Sequence, residues 1–177
     1  MKYFAYGSNM LEERLKAGTR VPGAKFLTSG SVKGYDLRFH KQSDDRSGKC
    51  NVIRTGSEGS VVYGIVFEIP VNQLEDLDRA EGVGHGYHQD YSISIQLADG
   101  AETKMLAYVA DSSAIDDNLI PYEWYHRLVI AGAEQHRLPK YYIECLQAVP
   151  FSKDPKPNRP TKLEAEAALK AYYGRKR

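Results

Sequence analysis

A short turn near the start of the sequence has the composition of a site that holds a negatively charged group. In "YFAYGSNM", an apolar stretch ends at Tyr6 and runs directly into Gly7, Ser8 and Asn9. Glycine lets the backbone turn sharply, and the N–H groups that follow have no partner inside the helix that begins there. Such donors, together with the helix dipole, suit a carboxylate or a developing oxyanion. The alternative is a plain strand-to-helix turn with Asn9 as its cap. Ser8 lacks the surroundings of a nucleophilic elbow.

Glu81 is the second residue with chemical potential. It falls in the last turn of the predicted helix "LEDLDRAEG", at the negative end of the helix dipole and close to several acidic residues. Both influences disfavour a charged carboxylate, and a carboxyl group of that kind can act as a general acid or base near neutral pH. The alternative is a solvated glutamate at the end of an acidic surface helix.

Metal and nucleotide sites find little support. His85 and His88 form an HxxH pair, but the glycine-rich flanks in "GHGYHQD" make a helix unlikely and no further ligand set is evident. "RSGKC" lacks the first glycine of a phosphate-binding loop, and "EGVGHG" follows a helix rather than a strand. We therefore expect neither a metal nor a cofactor, and we keep a metal hydrolase at the two histidines as a weaker hypothesis.

The amino-acid composition argues against several classes of protein. The 177 residues carry 24 lysines and arginines against 23 acidic residues, which argues against a nucleic-acid binder with a basic face. The two cysteines, Cys50 and Cys145, form no CxxC motif and suit a reducing compartment. There is no signal peptide and no apolar run of membrane-spanning length. The sequence predicts a cytoplasmic protein with no membrane and no nucleic-acid partner.

Periodicity and turn residues predict the elements that position these side chains. Strands are expected at "KYFAY", "YDLRFHK", "NVIRT", "VVYGIVFEI", "YSISIQL" and "TKMLAYVA", with the middle pair and the last pair each joined as a hairpin. Helices are expected at Met10–Ala17, capped by Asn9 with Glu12 completing a capping box, over "VNQLEDLDRAE" with Gly82 at its end, and at Tyr122–Arg137, Tyr141–Val149 and Thr161–Tyr173.

This pattern predicts an α+β fold with a small, mostly antiparallel β-barrel surrounded by helices. Residues 1–150 are expected to form a single domain. Residues 151–177 are expected to form a proline-rich linker and a C-terminal helix that packs on that domain or extends from it.

Two of these stretches together resemble a known family. "YFAYGSNM", followed some seventy residues later by "LDRAEGV", is similar to the γ-glutamylcyclotransferase family of the AIG2-like superfamily. The resemblance extends to "GYDLRFHK", "VYGIVFEI" and "YHRLVIAGAEQHRLPKYYIECL", and so covers about residues 3 to 149.

The resemblance implies a reaction and a set of site residues. In that reaction the α-amine of a γ-glutamyl group attacks its own side-chain carbonyl, which forms 5-oxoproline and releases the attached amine. By resemblance, Glu81 is the catalytic acid and base, and Gly7-Ser8-Asn9 is the loop that holds the substrate. Tyr6 belongs to the same motif, and Tyr125 and Tyr87 correspond to pocket tyrosines.

The leaving amine stays open at this point. The glutathione-specific branch usually has leucine where this chain has Asn9, which leads away from glutathione and leaves γ-glutamyl amino acids, γ-glutamyl amines and γ-glutamyl-capped antibiotic precursors. The expected partner is this small molecule, bound by a monomer or a homodimer. The alternative function is a non-catalytic binding module for a small carboxylate or γ-glutamyl ligand.

Overall fold

The computed structural model describes residues 1–18 and 20–175, and within them the chain forms nine β-strands and five α-helices. The strands are β1 (Lys2–Ala5), β2 (Lys25–Lys33), β3 (Tyr35–Gln42), β4 (Gly48–Arg54), β5 (Val61–Glu68), β6 (Tyr87–Asp90), β7 (Ser94–Leu97), β8 (Glu102–Lys104) and β9 (Ala107–Ala110). The helices are α1 (Glu12–Leu15), α2 (Leu74–Glu81), α3 (Glu123–Gln135), α4 (Lys140–Gln147) and α5 (Pro160–Arg175). Short 3₁₀ turns lie at Ser8–Met10, Val71–Gln73 and Ser112–Ala114.

An antiparallel sheet in the order β1-β5-β2-β7-β8 curls into a half-barrel. Two further antiparallel pairs, β3 with β4 and β6 with β9, lie beside it. The Phe4 N–H donates to the Leu106 carbonyl at 2.8 Å, which links β1 to the segment that leads into β9. The predicted α+β class, with a mostly antiparallel sheet and surrounding helices, is confirmed.

Strand β5 pairs with β1 on one side and β2 on the other, so the predicted hairpin between "NVIRT" and "VVYGIVFEI" is wrong. Because β5 is buried along most of its length, it needs a partner on each edge. β4 pairs with β3 instead. The chain turns the corner at Gly34, whose carbonyl accepts hydrogen bonds from the Thr55 and Gly56 N–H groups.

The second predicted hairpin is correct only in its first half. β7 pairs with β8, but the return segment breaks at Met105 and Leu106, and β9 pairs with β6. Both breaking residues are buried, so the chain changes partners where it enters the core.

The first predicted helix is also different in the structure. After the 3₁₀ turn, Leu11 adopts an extended conformation and α1 begins at Glu12 without a side-chain cap. Asn9 does not cap this helix, because its amide is used elsewhere. The prediction for α2 is confirmed: it ends at Glu81, and Gly82 follows in the left-handed conformation with φ of 77°.

The C-terminal segment packs on the rest of the chain. Helix α5 lies against α1 and α3 through Ala165, Ala168, Leu169 and Tyr172, all of which are buried. The proposed division at residue 150 stays a prediction. Among the described residues, none of the helices combines the length and apolar character needed to span a membrane.

Candidate active site

The turn that follows β1 forms one wall of the site. Met10 donates its N–H to the Gly7 carbonyl at 3.0 Å, which closes a single 3₁₀ turn. The first N–H groups of such a turn have no partner within it. A side chain at Gly7 would put its Cβ 3.1 Å from Cys50 Cβ and 3.3 Å from Tyr125 Oη. Glycine is therefore needed for the backbone to pass this close to its neighbours.

Glu81 lies directly against this turn. Its Oε1 accepts a hydrogen bond from Asn9 Nδ2 at 2.6 Å and another from Tyr3 Oη at 2.6 Å. The Arg20 guanidinium donates to Asn9 Oδ1 at 3.4 Å, so the two ends of the amide face opposite charges. These contacts fix the carboxylate in one orientation at the end of α2.

A group of tyrosines surrounds the carboxylate. An inner cavity of about 30 Å³ is lined by Tyr3, Tyr6, Gly7, Ser8, Asn9, Cys50, Glu81, Tyr87, Tyr108 and Tyr125. The backbone of Cys50 anchors two of them, since its carbonyl accepts from Tyr87 Oη at 2.5 Å and its N–H donates to Tyr125 Oη at 3.1 Å. Tyr6 donates its hydroxyl to the Tyr108 carbonyl.

These hydroxyl groups stay protonated at neutral pH. Burial raises the pKa of Tyr87 and of Tyr125 well above the usual value. Burial, followed by the charge of Glu81, does the same for the pKa of Tyr3. Burial also raises the pKa of the Cys50 thiol to about 12, so that group is neutral as well. The inner cavity thus presents hydrogen-bond donors around one carboxylate.

An outer cavity of about 480 Å³ opens beyond the carboxylate. It is lined by Ser8, Asn9, Arg14, Arg20, Lys41, Ser43, Asp44, Asp45, Lys49, Arg79, Ala80, Glu81, Gly82, His85, Tyr87, Trp124, Tyr125, Arg159, Pro160 and Thr161. The Lys49 ammonium is paired with Asp45 at 2.7 Å and lies 4.9 Å from the Tyr125 ring centroid. Basic side chains outnumber acidic ones in this cavity, so it favours a negatively charged ligand.

The residues singled out in the sequence meet here. Ser8, Asn9, Glu81, Tyr87 and Tyr125 line both cavities, and Gly7 and Tyr6 line the inner one. His85 lies on the outer cavity, whereas the exposed His88 pairs with Asp111 at 2.7 Å. Among the described residues, no group of three or more histidine, cysteine or acidic side chains is arranged to hold a metal.

Sequence reasoning missed Tyr3, Tyr108, Arg14 and Arg20. Tyr3 stands inside the quoted motif, and the 13 tyrosines of the chain were a signal that the pocket is lined by phenols. Asp78 is one of the acidic residues of helix α2. It accepts hydrogen bonds from Tyr108 Oη at 2.6 Å and from Gln89 Nε2 at 2.7 Å, which ties α2 to β6 and β9.

Comparison with known proteins agrees with this fold and motif. Residues 61–146 match the model of the AIG2-like family. The γ-glutamylcyclotransferase of Mus musculus is 30% identical over 151 residues, which cover 83% of this chain and 77% of that protein. The enzyme of the same name from Homo sapiens is 28% identical over 152 residues with the same coverage. The chain belongs to the γ-glutamylcyclotransferase family of enzymes, as the sequence resemblance predicts.

Solved structures share the fold. A structure named gamma-glutamyl cyclotransferase superposes with a TM-score of 0.77 at 24% identity, covering 96% of this chain and 98% of that one. An uncharacterized protein from Homo sapiens gives a TM-score of 0.73 at 23% identity, with 95% and 97% covered. The half-barrel with its surrounding helices is therefore the fold of this family.

Proposed function

We propose that this chain converts a γ-glutamyl amino acid or γ-glutamyl amine to 5-oxoproline and the free amine. The α-amino nitrogen attacks the γ-carbonyl carbon, a new C–N bond closes the ring, and the bond to the attached amine breaks. The proton lost by the attacking nitrogen reaches the departing nitrogen. No water, metal or cofactor enters the balance of this reaction.

One observation carries the proposal: the Glu81 carboxylate lies 2.6 Å from the amide of Asn9, at the junction of the inner and outer cavities. In our proposal Glu81 takes a proton from the α-ammonium group, which frees the nitrogen lone pair for attack on the γ-carbonyl carbon, and returns one to the departing amine. One positioned acid and base of this kind contributes about 10²- to 10⁴-fold to a rate.

The turn Gly7-Ser8-Asn9 is proposed to hold the γ-glutamyl group through its N–H donors. A backbone donor on a developing oxyanion is worth about 3 kcal/mol. Tyr125 and Tyr87 supply apolar walls with protonated hydroxyls. Tyr6 directly precedes the turn and lines the inner cavity. Because nucleophile and electrophile belong to one molecule, a pocket that folds the substrate toward ring closure removes much of the entropic barrier.

The test is release of 5-oxoproline from a panel of γ-glutamyl amino acids and γ-glutamyl amines. We expect the Glu81→Gln variant to lose at least about 100-fold in kcat, because glutamine cannot transfer the proton. The Glu75→Gln variant is the matched control, since Glu75 is exposed on the same helix. We expect it to keep full activity, and both variants should keep the thermal stability of the wild type.

Undiminished activity in the Glu81→Gln variant would remove Glu81 from the mechanism. A different result would favour the non-catalytic binding module: stabilisation of the wild type by γ-glutamyl compounds, without 5-oxoproline release and without dependence on Glu81. The panel also identifies the leaving amine.

A further inference from the structure

Arg14 is a buried cation on the outer cavity. Only 5% of the residue is exposed. Its NH1 pairs with Glu164 Oε2 at 3.2 Å, but its Nε is buried without a hydrogen-bond partner among the described residues. A buried charged donor without a partner costs free energy in the empty protein. Arg14 is among the residues that line the outer cavity, which places this poorly compensated charge on the cavity wall.

Arg20 places a second guanidinium beside it. Burial, followed by the positive charge of Arg20, lowers the pKa of Arg14 to about 10. Arg14 therefore remains charged at neutral pH, and the positive charge of Arg20 repels it. Glu164 balances them poorly, because 60% of its side chain is exposed and water screens its charge.

Among the other cations of the same cavity, Lys49, Arg159 and Arg79 have close carboxylate partners, Arg79 with Asp76 at 2.8 Å. Lys49 pairs with Asp45 at 2.7 Å, and Arg159 pairs with Asp154 through Nε at 2.7 Å and NH2 at 3.0 Å. Lys41 instead donates to the His85 carbonyl at 2.9 Å. Arg14 and Arg20 are the guanidinium groups of the cavity that lack a close, buried carboxylate partner among the described residues. An anion bound there would relieve their repulsion.

The start of α5 opens onto the same cavity. Pro160 and Thr161, the first residues of this helix of 16 residues, are among those that line it. The positive end of the helix dipole favours an anion at that position. The C-terminal segment, which lies outside the stretch that resembles the family motifs, therefore adds its own element to the pocket.

We propose that Arg14 and Arg20, with the start of α5, form an anion subsite for a carboxylate carried by the departing amine. The inference rests on the proposed function, in which the turn and Glu81 hold the γ-glutamyl group. The remainder of the substrate then extends into the outer cavity. Arg14 is in this view a residue that determines specificity and takes no part in proton transfer.

The test compares γ-glutamylalanine with γ-glutamylethylamine, which differ by one carboxylate on the departing amine. We expect the Arg14→Gln variant to lose about 10- to 100-fold in kcat/KM for γ-glutamylalanine, the worth of one charge-assisted hydrogen bond. Its kcat/KM for γ-glutamylethylamine should stay within about twofold. The exposed Arg127 gives the matched control, and Arg127→Gln should change neither value.

Equal losses on both substrates, or a wild type without preference between them, would overturn the subsite and leave the cyclotransferase intact. Arg20→Gln is the second variant if Arg14→Gln fails to fold, since Arg20 is partly exposed. Because Arg20 also donates to Asn9 Oδ1, this variant should lose activity on both substrates, with a loss about 10-fold larger for γ-glutamylalanine.

A binding measurement separates the subsite from the reaction. Calorimetric titration of the Glu81→Gln variant, with and without Arg14→Gln, measures Kd for both compounds without turnover. We expect Arg14→Gln to raise the Kd for γ-glutamylalanine and to leave the Kd for γ-glutamylethylamine unchanged. If Arg14→Gln weakens binding of γ-glutamylalanine alone and the wild type is inactive, the proposed function is overturned and the subsite is kept. If the Kd for γ-glutamylalanine is equal with and without Arg14→Gln, the subsite is overturned.

Discussion

Glu81 accepts hydrogen bonds from two described side chains, and both end on Oε1. Tyr3 donates from the first strand and Asn9 from the turn that follows it. The second carboxylate oxygen is then the one we expect to exchange a proton with substrate. Orientation by neighbours in this way limits the positions a catalytic group samples.

The Tyr3 hydroxyl gives a prediction at this scale. Tyr3→Phe keeps the ring in the core and removes one donor to a carboxylate, a bond worth about 2 kcal/mol. We expect kcat to fall about 10- to 30-fold. Steady-state release of 5-oxoproline measures the effect.

Tyr91→Phe is its control, since Tyr91 is 48% exposed and lies outside both cavities. That variant should retain wild-type kcat. A Tyr3→Phe enzyme with unchanged kcat would contradict the orienting role that we assign to this hydroxyl.

The motif residues could be predicted from the sequence because they are contiguous or carry a recognisable context. Arg14 and Arg20 could not, since their importance arises from burial and from Glu164, 150 positions beyond Arg14. Asn9 shows a different limit. Its residue type suits a helix cap, and only the three-dimensional approach of Glu81 draws its amide away from that role.

At the scale of elements, helix α3 sets the position of the turn. Gly132 in α3 lies so close that an added Cβ would be 2.6 Å from the Leu11 nitrogen and 2.6 Å from Met10 Cβ. Backbone cannot move aside as a flexible side chain does. The turn is therefore seated directly on α3, and Tyr125 reaches the site from the same helix.

Gly132→Ala should push the turn away from α3. We expect a loss of about 1–3 kcal/mol in the free energy of unfolding, as for overpacked cores, together with reduced 5-oxoproline release. Urea denaturation and steady-state kinetics test both effects.

Gly174→Ala in α5 is the matched helical control, because nothing lies within 4 Å of its added Cβ. Alanine should leave stability unchanged or raise it slightly there. Equal stability of the two variants would show that the turn is not held by this contact.

The sequence predicts the helices with local signals well, but it does not predict which strands pair. α2 and α3 have local signals, namely a glycine stop for α2 and the break at Leu138-Pro139 after α3, and both appear where expected. The partners of β5 and β9 depend on segments far away in the chain. Hydrophobic pattern alone identifies a buried strand but does not identify its neighbours.

At the scale of the whole molecule, Asp154 holds the C-terminal segment in place. Its side chain is fully buried and accepts hydrogen bonds from Trp124 Nε1 at 3.0 Å and from the Arg159 guanidinium. Arg159 holds the pKa of this carboxyl well below its usual range. The segment is thereby joined to α3 immediately before α5 begins.

Asp154→Asn should lower the Tm by about 5 °C near neutral pH, because the charged acceptor is lost. A depressed folded-state pKa contributes stability above the unfolded value, near 4, and loses it as pH falls toward the folded value. The difference between wild type and variant should therefore be constant from about pH 5 to 8 and narrow below about pH 4.

Thermal denaturation across this range measures the difference. Asp99→Asn is the control, since Asp99 is exposed and asparagine keeps the acceptor that bonds the Ala101 N–H. A gap between wild type and Asp154→Asn that stays constant down to about pH 2 would contradict the assigned ionisation.

The contact between Arg14 and Glu164 also has a consequence for the chain as it is made on the ribosome. The proposed anion subsite combines Arg14 of α1 with a partner of that residue, Glu164, synthesised 150 positions later. Until α5 is synthesised, Arg14 lacks this acidic partner, whereas the β5 partner of β1 is complete at residue 68. The preference for a carboxylate on the departing amine should therefore arise only after residues 160–164 have been synthesised, later than the residues around Glu81.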